Sequence, residues 1–228
     1  MKVKTLEWDS RFFNKNIGVI EADEEIGNFS DIERFDLLYI KQKEDKPIVI
    51  ADFMQTYAET KVIFSKSISK YNKTINSNVY SAFDIAINKE QIYTLAFESG
   101  KFSRFKLDNN FKQQEFEALY RTWVDNSFTK EFADAILVYK EKNSILGFIT
   151  YKILDDYAII GLLGVSDKHQ GKGIGSALLV AVENELSKKQ IKELRIPTQL
   201  QNKQACAFYT KYGYHIIENT IIKHFWKL

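Results

Sequence analysis

The chain has 228 residues, 45% of them apolar, which is enough for one or two domains with a sizeable core. Lys and Arg number 32 against 30 Asp and Glu, a net charge of +2 mixed along the sequence, so there is neither a basic stripe for nucleic acid nor a polybasic surface for a membrane. A single cysteine, Cys206, excludes a disulfide framework, and the three histidines (His169, His215, His224) have no ligand spacing, so no metal is expected.

No apolar run approaches the length of a membrane span, and the first residues lack a secretory h-region, so a cytoplasmic, soluble protein is expected. Residues 3–8, 17–22, 48–51 and 61–67 read as short strands, with a helix near 31–38. Polar residues 70–78 read as a connector. The expected domains are a smaller N-terminal one (1–76) and a larger one (77–228). In the latter, residues 79–85 read as a strand, and 89–98 and 113–126 as helices. Phe116, Leu119, Tyr120 and Trp123 recur at helical intervals and mark a core-facing stripe. Strands follow at 135–139, 145–153 and 157–165, then a helix (176–188), a strand (193–197), a helix (203–212) and a strand (216–225). That order predicts a mixed α/β (α+β) sheet. In the helix over 176–188, Ile174, Leu178, Val182 and Leu186 share one face, and Glu183 and Glu185 are expected to lie away from it.

The turn Gln170-Gly171-Lys172-Gly173-Ile174-Gly175, followed by Ser176, carries the chemistry. It lies between an apolar strand and a helix N-terminus. Glycines admit an anion close to the backbone, and the first helical amides have no intrahelical acceptor. The G-x-G-x-G spacing fits neither a P-loop nor a dinucleotide fingerprint. Taken alone it is also compatible with a plain loop.

Pro197 cannot donate a ladder hydrogen bond, so a fully paired central strand is disfavoured there, and a proline merely closing a strand is the other reading; Gly164 marks a candidate bulge. Asn202 stands at a helix N-cap, and Tyr209 follows two turns later on nearly the same face. A phenol stays protonated at neutral pH and can serve as an acid; packing alone is the other reading of Tyr209.

Gln170, Gly173 and Gly175 match Q/R-x-x-G-x-G/A, and Phe208-Tyr209-Thr210-Lys211-Tyr212-Gly213-Tyr214 matches a second signature some 35 residues on. The pair resembles the GNAT superfamily of acyl-CoA-dependent N-acyltransferases. That resemblance implies a largely antiparallel sheet splayed between its fourth and fifth strands. It implies pantetheine along the backbone of Leu163, Gly164 and Val165, and pyrophosphate on Gln170, Gly171, Lys172, Gly173, Ile174, Gly175 and Ser176. It implies Asn202 against the cofactor and Tyr209 as the acid for the departing thiolate. No His or Glu stands out as the base, which leaves ordered water.

Leu6-Glu7-Trp8-Asp9-Ser10-Arg11-Phe12-Phe13, Ser103-Arg104-Phe105 and the stretch from Leu194 to Asn202 are similar to the TDP-fucosamine acetyltransferases. This implies acetyl-CoA as co-substrate and, as acceptor, the amine of a nucleotide-linked amino-dideoxy sugar for a cell-surface polysaccharide. It implies Arg104, Phe105 and Thr198 near that acceptor, and a possible homodimer. Rival readings are a peptide or protein amine as acceptor, and a non-catalytic acyl-CoA-binding module. Trp8, Phe12 and Phe13 are expected in the core. Cys206 has no visible partner base and reads as a small helix residue.

Overall fold

The computed structural model describes residues 3–22, 31–68 and 74–228. In chain order they form β1 (Lys4–Thr5), α1 (Glu7–Phe13), β2 (Ile17–Glu21), β3 (Leu37–Gln42), β4 (Phe53–Ser67), β5 (Val79–Ser81), α2 (Lys89–Ser99), α3 (Arg104–Leu107), α4 (Gln113–Phe128), β6 (Ala135–Glu141), β7 (Ser144–Leu154), β8 (Tyr157–Val165), α5 (Ile174–Lys188), β9 (Glu193–Gln199), α6 (Lys203–Lys211) and β10 (His215–Lys227). Ten strands make one sheet in the order β1-β2-β3-β10-β4-β9-β8-β7-β6-β5. Only β2–β3 and β8–β9 pair in parallel; the other seven pairings are antiparallel.

Helices cover both faces of the sheet, as a mixed sheet with buried strands requires. On one face α1 to α4 build a core around Phe13, Tyr39, Ile92, Phe116, Leu119 and Phe148. On the other, α5 and α6 pack Leu178, Val182, Leu186 and Tyr209 against Phe64, Ile149, Tyr151 and Ile196. A third cluster, with Ile20, Phe35, Leu38, Ile40, Ile48 and Phe225, fills the β1–β3 end. Among the described residues no helix is long and apolar enough to cross a membrane.

The C-terminal elements lie close to their expected positions; the N-terminal ones depart more. The expected helix at 31–38 is a turn leading into β3, because Leu37, Leu38, Tyr39 and Ile40 are all buried between β2 and β10, and a strand covered on both faces carries a continuous apolar run. The expected strand over 3–8 gives way to α1 at Glu7, the one over 48–51 has no ladder, and 79–85 shortens to β5. The expected strand over 61–67 is the end of the fifteen-residue β4. The division expected after residue 76 falls between β4 and β5. β4 itself lies between β10 and β9, paired with both. Residues 69–73 of the expected connector lie outside the described residues.

Glu183 and Glu185 do not face solvent. Glu183 is buried, takes a hydrogen bond from the Tyr214 hydroxyl at 2.7 Å and pairs with Lys66 of β4 at 2.7 Å. Glu185 accepts from the Tyr151 hydroxyl at 2.6 Å. Both carboxylates fasten α5 to the sheet, so the helix is wetted only along a narrow strip. Gly164 is not at a bulge either: it pairs in register with Phe148. The extra residue on β8 falls at Gly161–Leu162, opposite Thr150, whose hydroxyl takes the Leu162 amide at 2.9 Å. Gly164 is required for a different reason. A Cβ there would lie 2.5 Å from the Leu95 carbonyl oxygen of α2.

Gly164→Ala is therefore expected to push α2 off the sheet and lower unfolding stability by about 1–3 kcal/mol, the usual range for overpacking. Urea denaturation checks this; a midpoint equal to wild type would refute the close approach.

Candidate active site

β8 and β9 share only three paired positions, Tyr157 with Glu193, Ala158 with Leu194 and Ile159 with Arg195. Beyond them the strands part. β9 keeps its β4 partner through Pro197, Thr198 and Gln199, while β8 keeps only β7. Pro197 stands on the separated stretch, where no β8 carbonyl is within the ladder to need its missing N–H. A cleft of about 950 Å³ runs through the gap from one face of the sheet to the other.

On the α5/α6 face, the cleft is walled by Leu163, Gly164 and Val165 of β8, by Gly171, Gly173, Ile174, Gly175 and Ser176, and by Thr198, Asn202 and Tyr209. Gly171 and Gly173 have φ of +75° and +83°, and a Cβ on Gly171 would meet nothing within 4 Å. Left-handed backbone at both positions is the reason for glycine, not crowding. Gly173 caps α5, so the amides of Ile174, Gly175 and Ser176 open the helix with no intrahelical acceptor. Ser176 Oγ donates back to the Gly173 carbonyl at 2.7 Å.

Gln170 braces this loop. Its Nε2 donates to Asp167 at 2.7 Å and to the Val165 carbonyl at 3.3 Å, and its Oε1 accepts from Gln204 of α6 at 2.9 Å. The side chains of Lys168 and Lys172 are exposed, and neither residue lines the cleft.

Asn202 caps α6, with Oδ1 accepting the Ala205 amide at 3.1 Å, and lines the cleft as well. Tyr209 is buried on α6, its ring packed against Phe64, Phe208 and Tyr214. It lines the cleft, and its hydroxyl makes no hydrogen bond with any described residue. Burial, and then the neighbouring Cys206, push its pKa well above the ordinary phenol value, so the proton stays on at neutral pH. The Cys206 thiol lies outside the cleft lining, within reach of the Gln199 and Leu200 carbonyls, and burial raises its pKa. That environment suits a packed thiol and not a nucleophile.

The opposite mouth holds groups that the sequence reading did not find. Glu59, Lys61 and Lys41 project from β4 and β3 on the α1–α4 face, beside Ser103, Arg104, Phe105 and Tyr120. Glu59 is only 4% exposed. Burial raises its pKa above the usual carboxylate range, partly offset by the Arg104 charge and by the Tyr57 hydroxyl, which donates to it at 3.3 Å. Tyr57, Glu59 and Lys61 alternate on one face of β4, and period-two alternation was their available signal. A strand starting at 61 hides it.

Of the residues expected near an acceptor, Arg104, Phe105 and Thr198 all line the cleft, but Phe105 is largely core, stacked on Phe13 and edge-on to Trp123. Phe13 is buried as expected; Trp8 stacks on Phe12 at the surface, 41% exposed, and none of the three lines the cleft. Arg104 lies over the Tyr39 ring at 4.3 Å, and Tyr39 packs on His224 at 4.7 Å. His224 Nδ1 donates to Asp108 Oδ2 at 2.6 Å, the oxygen that also takes the Trp226 indole N–H at 2.8 Å.

Burial raises the Asp108 pKa, but the hydrogen bonds from His224, Trp226 and the Asn110 amide outweigh it and hold the group well below the carboxylate range. Burial drives the His224 pKa down to about 4, against the opposing pull of Asp108. The imidazole is thus neutral at pH 7 and supports Tyr39 and Arg104 from below. An unfolded histidine takes up its proton near pH 6.5, and folded His224 does so only near pH 4, so stability is lost as pH falls through that interval and not above it. The difference in unfolding free energy between wild type and His224→Asn is expected to shrink from pH 7 to pH 4.5. A difference that stays constant over that range would contradict a buried neutral imidazole.

The family model for the acetyltransferase (GNAT) family matches residues 91–214. The spore coat polysaccharide biosynthesis protein SpsD of Bacillus subtilis is 25% identical over 137 residues, covering 60% of this chain and 47% of that protein. The spermidine N(1)-acetyltransferase of Thermoplasma acidophilum is 30% identical over 116 residues, covering 51% of this chain and 63% of that one. The chain thus spans about half the length of the curated relatives it matches. A tandem GNAT protein from the clavulanic acid biosynthesis pathway has the same fold with a TM-score of 0.54, at 10% identity, over 84% of this chain and 64% of that chain.

Proposed function

The chain belongs to the acetyltransferase (GNAT) family, and on that premise we propose that it transfers the acetyl group of acetyl-CoA to the amine of a nucleotide-linked amino-dideoxy sugar of the TDP-4-amino-4,6-dideoxyhexose type. The observation that carries the acyl-transfer half is the parted sheet with the glycine turn at one mouth. Acetyl-CoA is the co-substrate of the family. The sugar half is supported by the likeness to SpsD, a spore coat polysaccharide biosynthesis protein, by the similarity of the first residues and of β9 to TDP-fucosamine acetyltransferases, and by a cleft that continues well past the gap.

In this reading the amides of Gly171 to Ser176 take the pyrophosphate, with the α5 dipole adding partial positive charge. The pantetheine lies along the free edge of β8, hydrogen-bonded to the backbone of Leu163, Gly164 and Val165 as an added strand would be. The thioester then sits in the gap. A neutral amine attacks the carbonyl carbon, the carbonyl oxygen gains negative charge, and a β8 amide stabilises it. As the C–S bond breaks, Tyr209 passes its proton to the sulfur, and the nitrogen sheds its second proton as the amide forms, which through solvent restores the phenol. The amine must first lose a proton. Glu59, buried on the acceptor side with a raised pKa, is the group we assign to take it, replacing ordered water as the expected base.

Tyr209→Phe is expected to lower kcat by about 10²-fold with acetyl-CoA affinity unchanged, read by thiol release under single-turnover conditions. Unchanged chemistry-limited turnover would remove Tyr209 from this role. Glu59→Gln is expected to depress kcat/KM most at neutral pH and least at alkaline pH, where the free amine predominates without help. A uniform loss across the pH profile would mean that Glu59 only shapes the cleft.

A further inference from the structure

We propose that Arg104, Lys61 and Lys41 form a subsite for the phosphate groups of the acceptor, so that the acceptor enters anion-first held on the α1–α4 face with its amine directed to Glu59. This rests on the reading of the cleft as an acyl-transfer site and adds to it the chemical class of the acceptor's far end.

Arg104 is half-buried in the cleft wall yet has no ion pair and no side-chain hydrogen bond to any described residue. Its guanidinium lies over two rings, Tyr39 at 4.3 Å and Phe105 at 4.8 Å. Stacking uses the face of the fork and leaves its in-plane N–H donors unspent. The platform beneath is rigid: Tyr39 rests on His224, which is fixed by Asp108. A partly desolvated cation with no ion-pair partner is costly, and an anionic ligand relieves that cost.

Lys61 is likewise without an ion pair among the described residues. Lys41, Lys61 and Arg104 line the same cleft, and burial and then the charges of Arg104 and Lys41 lower the Lys61 pKa. Lys41 is held at 2.8 Å by Glu21 outside the cleft. The carboxylates that act on this group are Glu59 on β4, Asp9 on α1, which feels the Arg104 charge, and Glu218 on β10, which acts on Lys61. None of them makes an ion pair with Arg104 or Lys61.

β4 and β3 flank β10, where Lys61 pairs with Thr220 and Lys41 with Ile222, so the two positions lie about 12 Å apart, two ladder spacings across and two residues along, and Arg104 lines the same cleft. Two flexible ammonium groups and one planar fork suit a multiply charged, several-oxygen anion better than a single carboxylate. The shared chemistry is a phosphate ester, supplied by a nucleoside diphosphate or by a simple sugar phosphate.

The test begins with the protein saturated with CoA, so that the glycine turn is already occupied. Inorganic pyrophosphate is then titrated calorimetrically at low salt. One saturable site is expected, weakened at least about tenfold by Arg104→Gln and by Lys61→Gln and unaltered by Lys188→Gln, a substitution at the exposed end of α5. No binding to the CoA-loaded protein, or binding indifferent to Arg104 and Lys61, overturns the subsite. TDP competing with pyrophosphate where thymidine does not would assign the anion to a nucleoside diphosphate; equal competition by a hexose phosphate would assign it to the simpler ester.

Acetylation of TDP-amino sugars separates the two readings. If the sugars are acetylated with the same KM in Arg104→Gln and Lys61→Gln, the subsite falls and the acyl-transfer reading stands. If no sugar is acetylated but pyrophosphate binds in an Arg104-dependent way, the subsite stands and the sugar reading falls.

Discussion

A sheet that stops pairing in its middle is the condition on which everything else here depends. β8 and β9 are joined at three positions and then diverge, which leaves a strand edge inside the molecule with its β9-side amides and carbonyls unpaired. An open edge is normally a liability that proteins cover. Here it lines the cleft, so a molecule that enters the cleft can pair with it. An extended pantetheine arm with its own amides has the right chemistry.

The gap survives because its closed end is strongly fastened. Glu193 takes the Ser65 hydroxyl at 2.5 Å and pairs with Arg195, while Glu183 links Lys66 and Tyr214 beneath α5. Losing a partner of the buried Glu183 is costly, typically several kcal/mol, and the Ser65 contact ties β9 to β4, so these contacts resist any slide of β9 toward β8. Packing from opposite faces holds the open end apart: the α2 backbone against Gly164 on one side, the Tyr209 and Phe64 rings on the other. The same arrangement makes the cleft a passage. Cofactor and acceptor can approach a common point from opposite faces, which is the geometry that direct transfer between two bound substrates demands.

The glycine-turn wall of the cleft was legible because its signals are local. Two left-handed glycines, a helix cap and a strand-ending proline each declare themselves within a few residues, and Gly171, Gly173, Asn202 and Pro197 all take the conformations that their residue types suggest. The opposite wall was legible only in part: Arg104 and Phe105 were expected there, but Glu59, Lys61 and Lys41 come from strands distant in sequence. Glu59, Lys41 and Arg104 come together only once β4 is inserted between β9 and β10 and β3 is laid against β10. Nothing in a single segment encodes that order. Two of the departures share one origin. Ile32, Phe35 and Leu38 have helical spacing yet pack on one sheet end, and Glu183 looks solvent-facing until Lys66 and Tyr214 are brought to it; tertiary partners decided both.

Backbone amide chemical shifts followed through a titration with CoA report directly on whether the parted sheet is a cofactor cleft. The largest changes are predicted at Leu163 to Val165 on the free edge of β8 and at Gly171 to Ser176 where α5 begins, with smaller ones at Asn202 and Tyr209. CoA binding that leaves the β8 edge and the start of α5 unshifted, with its changes concentrated elsewhere, would contradict this view of the molecule.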